Sequence, residues 1–188
     1  VADALKEDSA AALAALKKMD ICTVMLTGDR KENAERTAKE LSLDRFYSEL
    51  LPEEKLQIAE ELMAKKDKNS TLCFVGDGIN DAPVLAGADV GIAMGALGSD
   101  AAVEAADVVL MNDRPSDVCK AIGICRKTMR IVKENIVFAL AVKFGVMLFI
   151  GLTAVLPGLN ILESYAGELA VFADVGVSVV AILNATRA

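Results

Sequence analysis

The chain has 188 residues, 54% of them hydrophobic, a formal net charge of -7 and no histidine. That acidity, without any stripe of Lys and Arg interleaved with aromatics, excludes nucleic acid as a partner. Its cysteines, Cys22, Cys73, Cys119 and Cys125, form no CxxC pair, which excludes a thiolate metal cluster and suits reduced thiols in a reducing compartment.

Charge is unevenly spread, since after Asn135 only Lys143, Glu163, Glu168, Asp174 and Arg187 are charged. Two parts are therefore expected: a soluble domain over 1–118, and a linker helix with two membrane spans over 119–188. No signal peptide opens the chain, which starts at Val1 in the lead-in to a helix. A portion of a longer protein is the expectation.

Taken in order, the pattern predicts a helix over Asp8–Met19, a strand over Ile21–Leu26 and a helix over Lys31–Leu41. A further helix is expected over Pro52–Lys65, with proline in the first turn, where its missing N–H costs nothing. A strand at Thr71–Val75, a loop, a short helix to about Ala86 and strands at Asp89–Ala93 and Val108–Met111 follow. Short apolar strands separated by amphipathic helices imply a mainly parallel sheet with helices on both faces, a partial Rossmann-like α/β fold.

From Pro115 a helix is expected to run through RKTMRIVKEN into NIVFALAVKFGVMLFIGLTAVL, an apolar stretch long enough to cross a bilayer. Arg126, Lys127, Arg130 and Lys133 lie just before it, which makes that end cytoplasmic by the positive-inside rule. The connection PGLNILESYAGE has no Lys or Arg, and the apolar stretch at Tyr165–Leu183 returns towards Arg187. A hairpin with spans over 135–156 and 165–183 is expected. A buried soluble helix is the alternative for the second stretch, which is short and contains Asp174.

In parallel α/β sheets ligands gather beyond the carboxyl ends of the strands. That rule places Thr27, Gly28 and Asp29 beside Asp77 and Asp81, because each group directly follows a strand. Thr27 offers a hydroxyl and Gly28 an uncrowded N–H ahead of a helix, a suitable setting for phosphate oxygens. Asp77 offers hard oxygen for Mg²⁺. Turn formation is the plainer reading of Asp77 and Asp81. Asp29 stands three residues before Glu32, a capping-box spacing, so a helix cap is its expected role. Lys55 sits in a first helical turn, where a cation is disfavoured. It is either a solvated lysine balanced by Glu53 and Glu54, or a cation kept for a phosphoryl group.

The ordered set TGD at 27–29, LPxxK at 51–55 and GDGxNDxP at 76–83 resembles the phosphorylation domain of P-type ATPases, which has the haloacid-dehalogenase fold. The resemblance extends through ADVGIAMG and GSDAAVEAADVVLM into the hydrophobic pair, and Lys143 and Asp174 look like those of the zinc, cadmium and lead exporters of the heavy-metal branch. It implies that Thr27 and Gly28 hold phosphoryl oxygens, Lys55 neutralises their charge, Asp77 ligates Mg²⁺, and Asn80 and Asp81 complete the cradle. Lys143 and Asp174, at matching depths in adjacent antiparallel helices, are expected to pair as ammonium and carboxylate. Either that ion pair is their whole role, or, as the resemblance implies, Asp174 is an oxygen ligand for Zn²⁺, Cd²⁺ or Pb²⁺ with Lys143 as its counter-charge.

No Asp here is followed by Lys-Thr, so the DKTGT nucleophile of the family is absent from this sequence. The expectation is the C-terminal part of a multi-pass transporter, its phosphorylation domain cytoplasmic and its location the plasma membrane. Its partners are then the bilayer, the metal ion and the remainder of the parent. ATP would be bound mainly by the missing nucleotide domain, the sheet would lack its central strand, and the fragment alone would be inactive. A soluble phosphatase of the same fold and a membrane-anchored module without catalysis are the competing readings.

Overall fold

A computed structural model of the chain describes residues 5–76, 81–95, 100–155 and 165–188. The chain divides into two compact units, Val1–Lys120 and Ala121–Ala188.

The first unit alternates strands and helices. Helix α1 (Ser9–Lys18) precedes β1 (Val24–Leu26), α2 (Lys31–Glu40), β2 (Arg45–Tyr47) and α3 (Pro52–Lys65). Then come β3 (Cys73–Gly76), α4 (Ala82–Gly87), β4 (Val90–Met94), α5 (Asp100–Ala105) and β5 (Val108–Leu110). All pairings are parallel, but they fall into two sheets, β1-β2 and β3-β4-β5. Each parallel pair is joined through a helix, as parallel strands require. Two elements were not anticipated from the sequence: β2, with the sequence RFY, and α5, with the sequence DAAVEA.

β4 is the central strand of its sheet, and its middle residues Gly91, Ile92 and Ala93 are buried. Its unbroken apolar sequence suits a strand covered on both faces. Gly91 lets it run against α4: a Cβ there would come within 3.0 Å of the Leu85 carbonyl carbon and 3.2 Å of its Cα. Leu85 and Val84 on α4 are each 1% exposed and form the heart of this packing.

An aspartate immediately ahead of a strand recurs as a latch on the neighbouring segment. Asp44 accepts from the Thr23 N–H at 2.8 Å and the Thr23 hydroxyl at 2.9 Å. Asp89 accepts from Leu72 N–H at 2.7 Å, and Asp107 from Gly91 N–H at 2.9 Å. Each carboxylate satisfies a donor at or near a strand start, where the ladder does not supply an acceptor. The Thr23 latch also explains why β1 begins at Val24 and not at the predicted Ile21, whose N–H instead closes onto Leu16 at the end of α1.

The second unit holds most of α6 (Pro115–Val155) and α7 (Ala166–Ala185). Among the described residues α6 is long and apolar enough to cross a membrane, while the apolar stretch of α7, Ala170–Ala185, is shorter. The sheltered positions Ile131, Asn135, Ala139, Val142 and Val146 trace one seam along α6, and Ala173, Val177, Ala181 and Asn184 trace another along α7. Spacings of three and four put each set on one helical face. Much of the remaining surface is apolar too: Phe144, Leu148, Phe172 and Val175 are all exposed.

Candidate functional site

The three loops singled out in the sequence are linked by a continuous set of contacts. Beyond β1, Thr27 N–H donates to Tyr47 O at 3.0 Å and Thr27 O accepts from Leu50 N–H at 3.1 Å. Asp29 O accepts from Glu49 N–H at 2.9 Å, and Glu49 takes φ 60° to deliver it. Gly28 lies between these bonds, and a Cβ there would meet Leu50 O at 3.3 Å. The Thr-Gly-Asp loop is therefore fastened to the segment that leads directly into α3.

Asp29 does not cap α2. The flanking residue is Arg30, and no side chain caps that helix end. The Asp29 N–H donates to Thr27 Oγ1 at 3.1 Å. The bond from Glu49 holds Asp29 with the strand end, the helix starts one residue later than the spacing assumed, and Asn33 rather than Glu32 falls at its third position. A reciprocal cap forms instead at α3, where the Glu54 carboxylate accepts from Leu51 N–H at 2.7 Å and Glu54 N–H donates to Leu51 O at 3.0 Å. The signal for Glu54 was present as a glutamate in the third helical position.

That cap fixes the start of α3, and Lys55 follows it. Its ammonium donates to Asp81 Oδ1 at 2.9 Å, with the two side chains only 18% and 14% exposed. Lys55 is thus no solvated surface lysine. Asp81 is more than a turn former: its main-chain carbonyl accepts from Val84 and Leu85 N–H, both at 2.9 Å, to start α4, while its carboxylate makes no cap and turns to Lys55. Gly76 keeps the strand end clear for that carboxylate, since a Cβ there would lie 3.1 Å from Asp81 Oδ2 and 3.1 Å from the Phe74 ring.

This donor set fits a phosphoryl group. An ammonium has three N–H bonds, of which Asp81 takes one, and the Thr27 oxygen accepts from Asp29 without using its own proton. Asp77 and Asn80 lie outside the described residues. Among the described residues no group of three or more Cys, Asp or Glu side chains is arranged to hold a metal ion.

In the second unit Lys143 Nζ stands 3.0 Å from Asp174 Oδ1, joining α6 to α7 midway along their apolar sequences. The side chains are 62% and 64% exposed, so the pair lies beside the seam and not within it.

Residues 1–89 match the family model of haloacid dehalogenase-like hydrolases. The chain is 55% identical over its whole length to a zinc-transporting ATPase of a Synechocystis species, and 50% identical to a cadmium, zinc and cobalt-transporting ATPase of Bacillus subtilis. These alignments cover 24% and 25% of those proteins, so the chain spans about a quarter of the length of the curated relatives it matches. A crystal structure of a zinc-transporting PIB-type ATPase superposes with a TM-score of 0.79 at 36% identity, over 98% of this chain and 28% of that one.

Fold and site together define a haloacid-dehalogenase-like domain continued into apolar helices. The chain belongs to the P-type ATPases of the heavy-metal branch.

Proposed function

We propose that this chain serves within a longer ATP-driven exporter of divalent heavy-metal ions, Zn²⁺, Cd²⁺ or Pb²⁺, that works through an aspartyl-phosphate. Residues 1–118 supply part of the phosphorylation domain, and residues 119–188 supply a linker helix and a membrane hairpin. Thr27 and Gly28 hold phosphoryl oxygens, Lys55 offsets their charge, and Asn80 and Asp81 order the loop around them. Asp29, its side chain not engaged in capping, keeps the loop against the segment that follows β2 through its main-chain bond with Glu49. Asp77 would hold Mg²⁺, which would supply further charge neutralisation. ATP is bound mainly outside this chain.

Arg126, Lys127, Arg130 and Lys133 before the first span, and Arg187 after the second, support a hairpin with both ends in the cytoplasm of a plasma-membrane protein. The observation that carries the transport reading is the Lys143–Asp174 pair. Two opposite charges meet at 3.0 Å between apolar helices on a face their own packing leaves open. A carboxylate so placed is expensive in hydrocarbon and marks an ion pathway by default. In this reading Asp174 gives oxygen to the ion, and Lys143 is displaced on loading and returns to help release it.

The two substitutions are therefore unequal. In the complete transporter Asp174→Ala abolishes zinc-stimulated ATP hydrolysis, whereas Lys143→Ala retains zinc binding and impairs release or metal-dependent control. Zinc binding and transport at wild-type levels in Asp174→Ala would reduce the pair to a structural salt bridge.

A further inference from the structure

We infer that Asn135, Asn184 and Arg187 form a register lock between α6 and α7 that sets the level at which Lys143 meets Asp174; this rests on the reading of Asp174 as a ligand for the exported ion. Asn135 Nδ2 donates to the main-chain oxygen of Ala181 at 3.1 Å. Asn184 Nδ2 donates to Asn135 Oδ1 at 2.9 Å, and Arg187 Nη1 donates to Asn184 Oδ1 at 3.0 Å. The bonds run in one direction, from a guanidinium through two carboxamides to a carbonyl of the facing helix.

The lock and the charge pair belong to one register. At 1.5 Å per residue, the rise along α6 from Asn135 to Lys143 is about 12 Å, and that along α7 from Asp174 to Ala181 is about 10 Å. The two differ by about one residue's rise, so the contacts are compatible in unstrained antiparallel helices. A slip of one turn would carry Asp174 about 5.4 Å from its partner and out of reach.

The apolar seam cannot prevent that slip by itself. Ala139 and Val142 face a helix whose sheltered residues are Ala173, Val177 and Ala181, small side chains that pack similarly in neighbouring registers. Both asparagines are half-buried on this seam, and a slipped register would leave their amide groups without partners among apolar neighbours. One polar position on an otherwise apolar helix seam is a known means of selecting one register over others. Asn135 and Asn184 are thus positioning residues, and Arg187 orients the second of them from the helix end.

The test uses the complete transporter, purified and reconstituted, with Asn135→Ala, Asn184→Ala, the double variant, Arg187→Gln and Asp174→Ala. Two quantities are measured: the zinc concentration giving half-maximal ATP hydrolysis, and metal-independent phosphoenzyme formation from inorganic phosphate. We expect each asparagine variant to raise the zinc requirement about three- to tenfold, from interhelical hydrogen bonds of the usual strength in membranes. The double variant should go no further than the worse single, Arg187→Gln should shift less in the same direction, and phosphoenzyme from phosphate should be unchanged.

An unaltered zinc requirement in the asparagine variants, with Asp174→Ala inactive towards zinc, overturns the lock and leaves the transport reading intact. Normal zinc stimulation in Asp174→Ala overturns that reading itself. Effects that simply add in the double variant, or parallel loss of phosphoenzyme from phosphate, also overturn the lock, because they indicate independent or general damage.

Discussion

Replacing Lys55 by methionine separates its electrostatic role from its packing, because the thioether keeps most of the stem and removes the charge. At 2.9 Å and an effective dielectric constant of ~20, the attraction to Asp81 is about 6 kcal/mol before desolvation. With the side chains 18% and 14% exposed, both ions have given up most of their hydration, which offsets much of that attraction. The net value expected of a charged hydrogen bond in such a setting is about 1.5–3 kcal/mol. Lys55→Met leaves the Asp81 carboxylate largely enclosed and uncompensated, and Asp81→Asn does the converse to Lys55. Combining them removes both charges and should restore part of the lost stability. The assay is a double-mutant cycle on urea unfolding of the haloacid-dehalogenase-like domain of the complete protein, with phosphoenzyme formation measured in parallel. A coupling energy of about 1.5–3 kcal/mol is expected, together with a fall in phosphoryl transfer of at least ~100-fold in Lys55→Met, the scale of losing one charge-stabilising donor. Stability losses that merely add would refute the ion pair as a coupled unit. Intact phosphoryl transfer in Lys55→Met would refute its role towards the phosphoryl group.

Hydrogen bonds from the Thr23 N–H and then the Thr23 hydroxyl hold the Asp44 carboxyl below its ordinary value of 3.8. A group with a depressed folded pKa contributes stability that is fully present above the unfolded value and is lost as pH falls through the folded one. Urea midpoints of the haloacid-dehalogenase-like domain should therefore drop as pH is lowered below about 4, and Asp44→Asn should flatten that slope; an unchanged slope would remove the latch as its source. Gly91→Ala places a methyl group against the main chain of Leu85, which cannot rotate aside, so a loss of about 1–3 kcal/mol is expected on the same measurement. Unchanged stability there would mean that α4 shifts freely from β4.

Much of the fold could be read from the sequence where pattern and punctuation agreed. Helix α3 has the expected bounds Pro52–Lys65, since proline marks its start and an amphipathic run fills it. β2 escaped because three residues, one of them arginine, carry no periodic signal, and the strand exists through its pairing with β1. α5 escaped for a related reason, as six residues give less than two turns over which to see a face. The site was legible as motifs but not as contacts. Sequence spacing suggested the Asp29 cap, and the Glu49 bond that overrides it crosses between segments twenty residues apart. Asn135 read only as the border of an apolar stretch, because its partners Ala181 and Asn184 become visible once two antiparallel helices are set in register.

Each unit holds an aspartate against a lysine at nearly the same distance, 2.9 Å for Asp81 and 3.0 Å for Asp174, but the first pair is enclosed and the second open. Lys55 and Asp81 are largely enclosed, so in the proposed phosphoryl-binding role an entering anion would meet a cation already fixed in place and a carboxylate already neutralised, and little would have to rearrange as charge develops. Lys143 and Asp174 are mostly uncovered by their own helices. Contact with hydrocarbon over such a face would cost each ion several kcal/mol, so the face is suited to protein, water or a metal ion. In the proposed transport reading an ammonium there would act as a ligand substitute, satisfying the carboxylate while the ion is away and leaving the pair's open side for a divalent cation. In the proposed function an enclosed pair that stays formed suits phosphoryl transfer and an open pair that can be exchanged suits ion release, so Lys55→Met and Asp174→Ala should fail in different assays.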